Sequence, residues 1–150
     1  MAVLNLHWSV VREFHAAAWR HQEAAELLLH SCAPKATSAM AAEAVYLSGY
    51  VVECILKAVL FSREKIGRHT NVKLECVKII RHDLEKIKLR LENLRKNAVV
   101  FPPEQQRNLR YVRNRWHPSI RYERRIIATE DARDFLNASR GILDWVCEGT

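Results

Sequence analysis

Along most of the chain, apolar residues recur at three- and four-residue steps, the period of one face of an α-helix. The stretch from Ala41 to Phe61, AAEAVYLSGYVVECILKAVLF, is different, being apolar almost all the way round. Such a helix is either enclosed in a bundle or spans a membrane, and a span needs about 20 apolar residues with few charges. Glu43, Glu53 and Lys57 interrupt this run, and charge at membrane depth is costly. The stretch is therefore predicted to be the central helix of an all-α antiparallel bundle of four to five helices, with no membrane contact. Ala42, Tyr46, Gly49, Val52, Leu56 and Val59 mark one of its faces. Glycine inside a helix costs roughly 1 kcal/mol against alanine, so close approach of a neighbouring helix is expected at Gly49. Glu53 and Lys57 stand one turn apart with the acid first, the favourable order for a pair.

The remaining elements follow from the same periodicity and from their end signals. Val11 to His30 reads as a first helix, with Phe14, Ala17, Ala18, His21, Ala24, Ala25 and Leu28 inside. Residues through Trp8 either extend it or pack as a short arm. Pro34 lies in a short turn, after which Thr37 or Ser38 caps the central helix. So short a connection makes antiparallel neighbours. Gly67 is a plausible stop for that helix. Leu74, Val77, Ile80, Leu84, Ile87, Leu91 and Leu94 then run in near-heptad order. One helix from Lys73 to Asn97 fits them. A break at His82–Asp83, with Asp83 capping a shorter helix from Leu84, fits as well and is the reading adopted here. After a turn at Val99–Pro103, a helix with Leu109, Val112 and Trp116 inside ends at His117–Pro118, because the residue before proline avoids helical geometry. Pro118 to Ala128 reads as an irregular basic loop. Thr129 is expected to cap a last helix buried by Phe135, Leu136, Ser139, Ile142, Leu143 and Val146, with Glu130 and Asp131 at its positive end.

Composition narrows the class. At 150 residues, 49% apolar and 27% charged, the chain is read as one domain, residues 1–150, able to bury a real core. Cys32, Cys54, Cys76 and Cys147 are far apart with no C-x-x-C, which argues against a disulfide framework or a zinc site and for free thiols in a reducing cytoplasm. No metal or other cofactor is expected, and no signal peptide is visible at the N-terminus. The basicity is local. Arg107 to Arg125 contains seven arginines and one acid, Glu123, a net +6 of the chain's +7.

That window, LRYVRNRWHPSIRYERR from Leu109 to Arg125, holds the candidate chemistry. On a helix Arg110, Arg113 and His117 are spaced i, i+3 and i+7, so they are expected to share one face. Guanidinium forks match phosphate oxygens, and histidine exchanges a proton near neutral pH. A 2′-hydroxyl of RNA could be activated by such a base while arginine stabilises the phosphorane, with no metal required. Arg107, Arg115, Arg121, Tyr122, Arg124 and Arg125 are the candidate nucleic-acid contacts, the tyrosine by stacking. Each residue has a plainer reading too. The arginines make a solvated face, His117 caps a helix end, Trp116 is core, and Glu53 serves Lys57. His82 and His69 are read as surface or cap residues. An arginine patch docking an acidic protein partner is a third class of function.

Taken together, AVYLSGYVVECILKAVL (Ala44 to Leu60), RHDLEKI (Arg81 to Ile87) and WHPSIRY (Trp116 to Tyr122) resemble the HEPN domain family, and WRHQEAAELLL (Trp19 to Leu29) fits its first helix. The resemblance spans roughly residues 11–147. It implies a dimerising helical bundle, often encoded beside a minimal nucleotidyltransferase acting as antitoxin in prokaryotic toxin–antitoxin or defence loci. Many members are metal-independent endoribonucleases with an R-x4-6-H motif at the dimer cleft. Arg110 and His117 meet that spacing at its upper limit, although Tyr111 stands where a polar residue often follows the arginine. Another branch has the tryptophan and arginine–tyrosine ending without a working histidine, and this chain matches that ending. Glu53 matches the acidic residue of the family's central helix that orients the motif arginine. The resemblance thus implies an RNA- or nucleotide-binding homodimer, with an endoribonuclease as the close alternative.

Overall fold

The computed structural model describes residues 4–31, 37–64, 80–123 and 126–148. They form five α-helices and no strand: α1 (Ser9–Glu26), α2 (Ser38–Glu64), α3 (Leu84–Glu92), α4 (Pro103–Arg115) and α5 (Thr129–Cys147). The expected all-α bundle is what the chain builds. Its order can be read from contacts between side chains. Phe14 meets Phe61 and His21 meets Tyr50, so α1 and α2 run antiparallel, as the short connection between them requires. Tyr111 meets Phe135 and Phe101 meets Trp145, which makes α4 and α5 antiparallel as well.

α2 is the hub. Every residue from Val51 to Phe61 is buried, including Glu53 and Lys57. By length and composition it could cross a membrane, but 83% of its most apolar window is covered by the rest of the bundle. Its apolar surface packs mainly on α1 and α5, and also on α3 and on residues 118–122 that follow α4. The Thr37 hydroxyl accepts from the Met40 amide at 3.3 Å and so caps α2. Ser38 instead accepts from the Ile127 amide at 3.1 Å, fastening the segment that leads into α5. Gly49 faces the indole of Trp116, which leaves no room for a β-carbon. The expected close approach is real, and it comes from a side chain just past the end of α4.

Several boundaries differ from the sequence reading. α1 begins at Ser9 and passes at Leu27–Ser31 into a π-helical turn. The buried positions, Val11, Ala18, Gln22, Ala25 and Leu29, make one regular helical stripe, and Phe14, Ala17, His21 and Leu28 lie half-buried beside it. The break before α3 is present, and Asp83 caps it by accepting from the Lys86 amide at 3.0 Å. α3 stops at Glu92, short of Asn97. The segment expected to be an irregular loop contains a 3₁₀ turn, Pro118–Tyr122, which buries Ile120. Thr129 is the first residue of α5, preceded by Ala128, and no side chain caps that end. The six residues expected to bury α5 are all buried. The Pro34 turn, the Gly67 stop and Leu74–Val77 of the apolar run fall outside the described residues, as do Cys32, Cys76 and His69. Cys54 and Cys147 form no disulfide among the described residues, and burial pushes the Cys54 thiol up to about 12.

Candidate functional site: a basic groove beside a buried carboxylate

Glu53 is an acid in the middle of the core, 3% exposed. A carboxylate there needs charge-assisted partners to offset lost hydration. Lys57, one turn on, supplies the first at 2.5 Å. His82 supplies the second, its Nδ1 lying 2.9 and 3.1 Å from the two carboxylate oxygens. Both oxygens are acceptors, so Nδ1 carries the hydrogen and Nε2 is left free on a side chain that is 48% exposed. Lys57 makes a further bond to the Arg81 carbonyl at 2.7 Å. That carbonyl is turned inward because Arg81 adopts a left-handed backbone, φ 45°. Such a conformation costs of order 1–3 kcal/mol in a residue with a β-carbon and persists only where its surroundings impose it. Here the buried ammonium imposes it. His82 is at the surface, as expected, but the core fixes both its backbone and its ring.

α4 ends at Arg115, and Trp116 and His117 that follow are extended. Pro118 enforces this. In extended backbone successive side chains point to opposite faces. Trp116 goes inward, packs edge-on against Tyr50 at 5.1 Å between centroids, and donates from Nε1 to the Tyr46 carbonyl at 3.0 Å. His117 goes outward, and its Nδ1 accepts from the Ser119 amide at 3.2 Å with the Ser119 hydroxyl 3.0 Å away, capping the 3₁₀ turn. Tyr50 also packs edge-on against His82 at 5.9 Å. The aromatic cluster thus joins the His82 turn to the end of α4. Between them lies a groove of about 720 Å³, lined among others by Arg81, His82, Asp83, Lys86, Arg113 and His117. A smaller hollow of about 260 Å³ continues past Arg113 and His117.

The structure sorts the expected site residues. Arg113 and His117 share the groove, while Arg110 is exposed on α4 and is not among its lining residues. The common helical face of Arg110, Arg113 and His117 is broken because the helix stops two residues before His117. Glu53 holds Lys57 and His82, and no arginine bonds to it among the described residues. Arg113 pairs with Glu85 of α3. Arg115 lies over the Tyr111 ring at 3.9 Å, and Arg121 over the Tyr46 ring at 5.6 Å. Arg107 and Arg110 are exposed, and neither forms an ion pair among the described residues. Tyr122 is 84% exposed, its ring open to stacking. Arg124 and Arg125 fall outside the described residues. What the sequence reading missed is His82 and Lys86. The signal was present in Arg81–His82–Asp83, but Glu53 lies 29 residues away and nothing local connects them.

No protein-family model, curated protein or solved structure matches the chain.

Proposed function

We propose that the protein is a HEPN-like helical module that binds RNA or a nucleotide through phosphate, works as a homodimer, and acts beside a nucleotidyltransferase in a toxin–antitoxin or defence setting. The observation that carries the binding is the outer face of α4. Arg107 and Arg110 stand there exposed and unpaired among the described residues, on the same helix that carries Arg113 to the groove. Unpaired guanidinium groups are the ones free to replace counterions along a phosphate backbone. The setting and the partner rest on the motif resemblance alone.

Salt tests the reading. Each phosphate contact to single-stranded RNA contributes a slope of about −0.7 in log K against log salt. Arg107→Ala with Arg110→Ala should weaken RNA binding and flatten that slope by roughly 1.4. Arg95→Ala with Lys96→Ala, also exposed, should change it less. An unaltered slope in the α4 double variant would favour the acidic-protein adaptor instead. Light scattering at micromolar concentration should return twice the mass of the chain, and a monomer would remove the homodimer from the proposal.

A second reading, the metal-independent endoribonuclease, has one observation in its favour: His117 and Arg113 line a groove that also presents the free nitrogen of His82. It expects total RNA to be cut in EDTA with 2′,3′-cyclic phosphate ends. General acid–base catalysis contributes ~10²–10⁴-fold, so His117→Ala should abolish most of the cutting.

A further inference from the structure

The geometry points to the groove between the His82 turn and the end of α4 as a seat for a phosphomonoester, the terminal phosphate of an RNA chain or that of a free mononucleotide. The chemical class rests on the RNA and nucleotide reading; the site does not. Arg81, His82, Lys86, Arg113 and His117 line it, against Asp83 in the lining and Glu85 paired with Arg113 at the rim. A phosphodiester within a chain carries one negative charge. A phosphate ester at an end carries about −1.5 to −2 at neutral pH and offers three acceptor oxygens, enough to engage Lys86, His82 and the remaining guanidinium nitrogens of Arg113 together. At about 720 Å³ the groove also falls within the range typical of small-ligand sites.

The donors are held before a ligand arrives. Arg113 is anchored at the groove's rim by Glu85, which engages one guanidinium nitrogen and leaves the others over. Lys86 lies 3.7 Å from Asp83 with its side chain 67% exposed, so its ammonium can turn to an anion. His82 is fixed more firmly than either. Its Nδ1 is held by a carboxylate that is itself enclosed in the core, and the turn that carries it is locked by Lys57 on the Arg81 carbonyl. An exposed imidazole kept at one angle by a buried acid loses little freedom on binding, which is how prior order raises affinity. Glu53 acts here as a positioning residue. It touches no ligand.

The test uses the full chain and two 3′-labelled RNA decamers of one sequence, one with a 5′-phosphate and one with a 5′-hydroxyl, followed by fluorescence anisotropy. AMP is the competitor. We expect the 5′-phosphate to tighten binding roughly tenfold, as one added charge-assisted contact does, or AMP to displace the decamers, or both. The first result assigns the seat to RNA ends and the second to free mononucleotides. Either effect should vanish in Lys86→Ala and in His82→Ala. The Lys86 side chain is mostly in solvent, so its removal spares the fold, and a thermal melt of each variant checks this. Equal affinity for both decamers with no displacement by AMP overturns the inference, as does an effect that survives both variants. Arg107→Ala with Arg110→Ala separates the two proposals. It should weaken both decamers alike, and if it does nothing while the groove effect persists, the α4 reading fails and the groove stands.

Discussion

Gly49 is conspicuous as the residue of α2 with the poorest helix propensity. Alanine there gains roughly 1 kcal/mol of helix propensity. Its methyl group would occupy the space of the Trp116 indole, whose Nε1 is bonded to the Tyr46 carbonyl one turn earlier. Overpacking of that kind costs about 1–3 kcal/mol, and the displaced indole also loses its hydrogen bond to the Tyr46 carbonyl. Gly49→Ala should therefore lower the denaturant midpoint despite its better propensity. Adding Trp116→Leu should return part of the loss, because the two changes share one space and cannot act independently. Equal losses summed in the double variant would refute the contact. The same indole packs against Tyr50, and Tyr50 against His82, so the midpoint of Gly49→Ala and the geometry of the groove are linked through one ring.

At the scale of elements, the sequence showed what is local and hid what is distant. The near-continuous apolarity of α2 announced its enclosure. Asp83 announced the start of α3, since an N-cap works through amides within three residues. Proline at 118 foretold the end of α4, yet the spacing of Arg110 and His117 was still projected onto a helix that does not reach His117. The inner stripe of α1 was placed beside its true line, because that line runs through Gln22, a polar residue that apolar periodicity passes over. The joint between α2 and the His82 turn was hidden for a different reason: buried ions choose partners in space. That joint makes its own prediction. Removing one member of a buried pair strands the other and costs about 3–5 kcal/mol. Lys57→Met should be destabilising on that scale, since it also releases the Arg81 carbonyl. Glu53→Gln in the same chain should recover a substantial part, and purely additive losses on chemical denaturation would show that the pair is not coupled.

For the molecule as a whole, two histidines on α1 set how stability responds to acid. Burial lowers the His15 imidazole below its ordinary value. Geometry agrees, because its Nε2 accepts from the Trp19 indole at 3.2 Å and a protonated ring could not. Burial also lowers His21, with Arg20 adding to the effect and Glu53 opposing it. Above about pH 6.5 both rings are neutral whether the chain is folded or not, and nothing is lost. As pH falls below that, the unfolded chain takes up protons that the folded chain refuses, so stability declines until the lowered folded values are passed. Tm should thus drop between pH 7 and 5, and His15→Asn with His21→Asn should make the curve flatter over that window. An unchanged slope would assign the acid response to other groups. Enclosure of α2 has a further consequence, for the order in which the protein is made. A ribosome releases α1 and α2 well before α5, yet α5 supplies Phe135, Ile142 and Leu143, which close the core. Until Cys147 has emerged, the longest apolar segment of the chain lacks its last wall. Transiently bare apolar surface is what holdase chaperones recognise and what aggregates when they are absent, so during synthesis the hub of the finished bundle is its most vulnerable part.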